Sequence, residues 1–221
     1  MSFILNIDTA ADIASVCLAE NEKVVGLVQN ESRNDHASWL HPAIDSLLKS
    51  NGLTVADLQA VAVNIGPGSY TGVRIGLSAA KGFCFATGIP LIAVSSLKIL
   101  AKAVQTEAQE LICPVIDARR MEVYTAAFDK QLVEKDPPQA IIIDENSFSE
   151  MLSSHAVLFC GTGCRKVRSM ITHPGASYSN TISNASHLAI LACHDFLCNK
   201  FVDTAYITPL YIKEFYNPTL K

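Results

Sequence analysis

The chain has 221 residues, 49% of them apolar and only 17% charged, with a formal net charge of −4. That length supports one large domain or two small ones around a substantial core. The acidic balance and the lack of any Lys/Arg run argue against autonomous binding to a phosphate backbone, so contact with nucleic acid would need a partner. A charged fraction below the roughly 25% typical of soluble domains leaves two readings open: a compact core, or apolar surface covered by another subunit. Residues 1–8 carry no basic n-region, and the uncharged stretch 82–97 is interrupted by Gly88 and Pro90. No leader and no membrane span are expected, and a cytoplasmic location is. The seven cysteines (Cys17, Cys84, Cys113, Cys160, Cys164, Cys193, Cys198) form no Cys-x-x-Cys pair, which fits reduced, buried thiols.

Residues 3–7, 13–19 and 23–29 read as three short strands joined by turn residues, and hence as antiparallel hairpins. Residues 34–50 read as a helix, with Leu40, Ile44, Leu47 and Leu48 at i, i+4, i+7 and i+8. Pro42 predicts a kink or restart there, because it removes a bond to Ser38, and Gly52 ends the helix. A strand at 60–65, a glycine loop, a helix at 71–86, a strand at 91–94 and a helix at 96–104 complete the first half. The second half starts again, with strands at 111–116 and 121–128 around Asp117-Ala118-Arg119-Arg120. A turn at Asp136-Pro137-Pro138 follows, then strand 140–143, helix 147–153, strand 156–160, a loop opening on a tight Gly161-Thr162-Gly163 turn, and helix 184–197. The apolar tail, residues 205–212, is expected to dock.

Each half thus reads β-β-β-α-β-α, with an aspartate (Asp8, Asp117) ending its first strand, which points to duplication with a break near Glu107. The expected fold class is α/β, with subdomains at residues 1–106 and 107–221. Each is a mixed sheet that begins with three antiparallel strands. Such paired halves are the architecture of the RNase H-like, actin-like (ASKHA) ATPases, where the two aspartates face each other across a nucleotide cleft.

Asp8, Thr9 and Asp117 are therefore the candidate nucleotide residues. Ala10 and Ala11 follow where a phosphate-binding hairpin favours glycine, and the alternative is an Asp that caps its own turn. The loop Ile65-Gly66-Pro67-Gly68-Ser69-Tyr70-Thr71-Gly72 lacks the Gly-Lys-Ser/Thr ending of a P-loop. The helix it opens contains Gly76 and Gly82, each costing about 1 kcal/mol relative to alanine. Gly72, Gly76, Ala79 and Phe83 form one stripe; Val73, Leu77, Ala80 and Cys84 form another. Two apolar stripes favour cover on two sides, by the chain's own sheet and by a second subunit. The expected partner surface is Trp39, Leu40, Ala43, Ile44 and Leu47 of the first helix with Gly72, Arg74, Gly76, Ala79 and Phe83 of the second. Arg74, at the wrong end of the helix dipole, predicts an acidic partner or anion beside it. His36 and His41 are five apart and the other histidines are scattered, so no metal site is expected.

On Ile7-Asp8-Thr9, His36 to Pro42, Gly66-Pro67-Gly68-Ser69-Tyr70-Thr71-Gly72-Val73-Arg74-Ile75-Gly76, Val94-Ser95-Ser96-Leu97, Asp117-Ala118-Arg119-Arg120-Met121-Glu122-Val123-Tyr124 and Pro209-Leu210-Tyr211-Ile212, the chain resembles the TsaB (YeaZ) family. That resemblance implies a partner subunit of TsaD, which transfers threonylcarbamoyl to the adenosine next to the anticodon of ANN-decoding tRNAs. It implies a heterodimer with TsaD through the first two helices, a homodimer when the chain is alone, TsaE acting on the assembled complex, and TsaC supplying the threonylcarbamoyl-adenylate. ATP and a metal would be used by the partner subunits, and tRNA would be contacted mainly through the complex. TsaD's His-x-x-x-His metal pair corresponds here to Ser96 and Leu100, which implies a chain without catalytic residues of its own. The alternatives are a small actin-like ATPase or kinase using Asp8, Asp117 and a metal, or a peptidase, for which no nucleophile–base–acid set stands in the sequence.

Overall fold

The computed structural model describes residues 2–30, 32 and 35–213. The first half runs β1 (Phe3–Asp8), β2 (Ser15–Glu20), β3 (Lys23–Gln29), α1 (His36–Ser50), a 3-10 turn (Val55–Asp57), β4 (Leu58–Asn64), α2 (Tyr70–Thr87), β5 (Leu91–Val94) and α3 (Ser96–Ala103). The second runs β6 (Leu111–Asp117), β7 (Glu122–Asp129), β8 (Glu134–Ile142), α4 (Ser149–Ser154), β9 (Val157–Cys160), α5 (Cys164–Met170), β10 (Ala176–Tyr178) and α6 (Ala185–Leu197).

The sheet orders are β3-β2-β1-β4-β5 and, read from its other edge, β8-β7-β6-β9-β10. Adding five to each label of the first gives the second, so the two halves share one topology. In each, the first strand pairs antiparallel with the second and parallel with the fourth. The strands β1 and β6 are central and mostly buried, which is why they read as near-continuous apolar runs.

Alternation along β1 sends Leu5 and Ile7 to one face and Ile4 to the other. On the outer face Leu5, Ile7, Val16, Val61 and Val63 pack against Leu40, Ile44 and Leu47 of α1 and Leu77 of α2. On the inner face Ile4, Ala60, Ala62 and Ile92 meet Leu188, Leu191 and Ala192 of α6. The second sheet is built the same way, with Leu152 and Val167 of α4 and α5 outside and Leu97 and Ala101 of α3 inside. The two sheets thus sandwich α3 and α6. Helix α6, second-half by sequence, covers the first sheet, so a division at residue 107 separates the sheets but not the packing units.

Several expectations are corrected. The predicted helix start at Asn34 lies outside the described residues. Helix α1 runs through Pro42 without a restart. The expected turn at Asp136-Pro137-Pro138 lies within β8, an edge strand with β7 as its one neighbour, where proline's missing donor leaves the free side of the ladder intact. Helix α5 and strand β10 fill what reads as loop; both are short, and three residues carry too little periodicity to register.

The tail packs back on the first half and then crosses to the second. Val202 N–H donates to the Leu91 carbonyl (3.0 Å) and Leu210 N–H to the Ile65 carbonyl (2.8 Å). Lys81 Nζ donates to the carbonyls of Ala205 and Ile207, both at 3.2 Å. Beyond them Ile212 enters the core around α3, and Lys213 pairs with Glu122 of β7.

Candidate functional site

The glycine loop and the start of α2 are laid directly on the β1–β2 turn. Ser69 N–H donates to the Ala10 carbonyl at 2.8 Å, and Thr9 Oγ1 donates to the Gly72 carbonyl at 2.7 Å. A Cβ on Gly72 would stand 2.0 Å from the Thr9 carbonyl oxygen, and one on Gly76 2.3 Å from Thr9 Oγ1. Glycine is needed at both positions because the chain's own hairpin occupies the space. The close approach also explains the second apolar stripe: drawn this near, a single sheet covers Gly72 and Gly76 as well as Val73 and Leu77. The expectation that Gly72 and Gly76 face a partner is therefore corrected.

Behind this turn lies a buried polar network. Asp8 Oδ1 accepts from Asn64 Nδ2 (2.9 Å) and from Ala10 N–H (3.2 Å). Asn64 Oδ1 in turn accepts from Ser96 Oγ (2.7 Å) and Gly66 N–H (2.9 Å). Burial pushes the Asp8 carboxyl above its ordinary range, against the lowering effect of Ala10 N–H and Asn64. The network ties the β1–β2 turn, the glycine loop and the start of α3 into one body. In the second half Asp117 is exposed instead. Its Oδ1 accepts from Lys166 Nζ and from Arg119 N–H, both at 2.7 Å, and these outweigh partial desolvation to hold its carboxyl low. The two halves are alike in topology, yet their aspartates do different work, and each is committed to its own loop. Among the described residues no group of three or more His, Cys, Asp or Glu side chains is placed to hold a metal.

The expected partner residues separate into two sets. Leu40, Ala43, Ile44 and Leu47 of α1 and Gly72, Gly76 and Ala79 of α2 are buried in the chain's own core, as is most of Trp39. Their periodicity marks the inward face, not the outward one. Arg74 is exposed: its guanidinium lies 3.9 Å from the centroid of the Tyr70 ring, and its Nε donates to Tyr211 Oη at 2.8 Å. Two aromatic rings, one supplied by the tail, meet this guanidinium.

What the helix pair leaves open is a shallow groove lined by Ala37, His41, Ile75, Ser78, Gly82 and Phe83, with Ala79 at its floor. The rings of His41 and Phe83 meet across it, centroids 5.7 Å apart. Phe85, on the same helix, is 89% exposed. A Cβ on Gly82 would meet nothing within 4 Å, so the chain's own packing does not require glycine there. Phe85 carries a signal in the sequence that the stripe analysis passes over, an aromatic one position beyond the Leu77–Ala80–Cys84 core series.

Comparison with known proteins now decides the family. A family model described as TsaD, tRNA N6-adenosine threonylcarbamoyltransferase, matches residues 13–190. The Bacillus subtilis tRNA threonylcarbamoyladenosine biosynthesis protein TsaB is 36% identical over 163 residues, 72% of this chain and 70% of that protein. The chain belongs to the TsaB (YeaZ) family. Escherichia coli TsaB is 29% identical over 95% of this chain and 94% of its own length. A Pseudomonas aeruginosa crystal structure described as similar to the peptidase YEAZ superposes with a TM-score of 0.86 at 27% identity, covering 96% of this chain and all of that one. The TsaB assignment and the paired sheets bear out the actin-like, two-subdomain α/β fold, and place the chain in tRNA threonylcarbamoyladenosine biosynthesis. No helix among the described residues is long and apolar enough to cross a membrane.

Proposed function

We propose that this chain is the non-catalytic subunit that binds TsaD and activates it for threonylcarbamoyl transfer to the adenosine beside the anticodon of ANN-decoding tRNAs. The observation that carries the reading is the face of α1 and α2 that no described residue covers, from the His41–Phe83 groove to Phe85. A TsaD subunit covers that face in the complex, and a second copy of this chain covers it in TsaD's absence. TsaE acts on the assembled complex, the partner subunits use the ATP and metal, and the work is done in the cytoplasm.

The cleft residues support a role without catalysis. The glycine loop rests on Thr9 and Ala10, where an anion-cradling hairpin would need open backbone. Ser96, at the position of TsaD's first metal-binding histidine, donates its hydroxyl to Asn64, and Leu100 packs into the core around α3. Neither side chain supplies a metal ligand of the kind that histidine provides.

A reconstituted modification assay tests the proposal. TsaD, TsaE, threonylcarbamoyl-adenylate, ATP and an unmodified tRNA transcript are expected to yield modified adenosine only when this chain is added. Full activity without the chain would remove the activating role.

A further inference from the structure

The hairpin tip between β6 and β7 puts arginine in consecutive left-handed positions: Arg119 has φ 68° and Arg120 φ 47°. L side chains rarely adopt that region, and tight turns normally fill it with glycine or asparagine. The tip is rigid. Ala118 N–H donates to the Glu122 carbonyl (3.0 Å), Asp117 N–H to Thr162 Oγ1 (3.0 Å), and Lys166 Nζ to the Glu122 carbonyl (2.9 Å). Neighbouring carboxylates are already engaged, Asp117 by Lys166 and Glu122 by Lys213. Asp144, brought beside the tip by the Ile143 N–H bond to the Met121 carbonyl, accepts from Asn146 N–H and Ser147 Oγ; Glu145 follows it in the chain. Among the described residues the side chains of Arg119, Arg120 and the nearby, exposed Arg165 have no hydrogen-bond, ion-pair or ring partner. Two guanidinium groups without a partner among the described residues are thus held on a hydrogen-bonded, conformationally costly support. The glycine that would relax the turn would remove them.

We infer that Arg119 and Arg120 form a phosphodiester contact through which this chain touches the RNA backbone once it is assembled with its partner subunit. The inference rests on the function proposed above. A planar guanidinium pairs two-pronged with phosphate oxygens, and an open tip suits a backbone better than it suits an enclosed small molecule. The net charge of −4 keeps such a contact from sufficing alone, which assigns it the role of an auxiliary clamp on RNA already bound to the complex.

The test uses the complex of this chain with TsaD, an unmodified tRNA transcript and a salt series. The paired substitution Arg119→Asn, Arg120→Gly removes both charges and suits the left-handed turn, so its melting temperature should equal or exceed that of the wild-type chain. Its tRNA affinity should fall about tenfold, and the slope of log K against log salt should shrink by about 1 to 2. Assembly with TsaD should be unchanged. Unaltered tRNA affinity and slope would overturn the inference. So would lost assembly, because the arginines would then belong to a protein interface. A wild-type chain that fails to bind TsaD at all would instead bring down the proposed function, and this inference with it.

Discussion

At Gly72 the backbone of α2 comes so near the β1–β2 turn that even a methyl group collides with a carbonyl oxygen, 2.0 Å away. A backbone atom cannot step aside, whereas the atom facing Gly76 is the Thr9 hydroxyl, which can rotate if it gives up its bond to the Gly72 carbonyl. Gly72→Ala is therefore expected to destabilise the chain by about 2–3 kcal/mol and Gly76→Ala by about 1–2 kcal/mol, in that order, by urea unfolding of the isolated protein. Equal stabilities would mean that the helix does not sit this close. Asp8 allows a second test. Its carboxyl is raised in the folded state, so its contribution is fully present below the ordinary aspartate value and is lost as pH rises through the folded one. Asp8→Asn keeps an oxygen acceptor for Asn64 and Ala10. The melting temperature of this variant should fall less than wild type's as pH is raised from about 4 to 8; parallel curves would show that Asp8 does not titrate in that window.

At the scale of elements, the sequence reads well wherever one face is buried and badly wherever two neighbours compete for a face. Strands β3 and β5 stand at the residues read as strands, and most of α2 stands where its periodicity puts it, because a half-buried helix writes its burial into its spacing. The proposed partner surface was not legible in that way. Leu40, Ile44 and Leu47 form the apolar stripe of α1 because they face the chain's own sheet, and the proposed docking face of Ala37, His41, Gly82 and Phe85 keeps helical spacing but mixes small, polar and aromatic residues, so it forms no apolar stripe. The tail is the other element whose place no local pattern sets. Tyr211 meets Arg74 across 137 residues of sequence, a separation that no local pattern encodes. Tyr211→Ala should release this strap, so that amide exchange speeds up at Leu210 by about tenfold or more while the core strand β1, and the Ile65 amide bonded to the Val94 carbonyl, stay protected. Unchanged exchange at Leu210 would show that the Leu210 bond to Ile65 holds without the aromatic clasp.

At the scale of the whole molecule, duplication was legible as a repeated β-β-β-α-β-α order, but the exchange of third helices was not. The burial pattern of α6 fits any apolar sheet face, and the sequence does not say which of two sheets will cover it. That exchange leaves α1 and α2 as the outward helices of the first sheet, with none of the described residues across the His41–Phe83 groove. The central claim is that this face receives the transferase subunit. Calorimetric titration of TsaD with the Gly82→Arg, Phe85→Glu double variant tests it most directly. Both side chains project from open positions, so the melting temperature should stay within about 1–2 °C of wild type while affinity for TsaD falls at least about thirtyfold. An undiminished affinity in a folded variant would contradict the account.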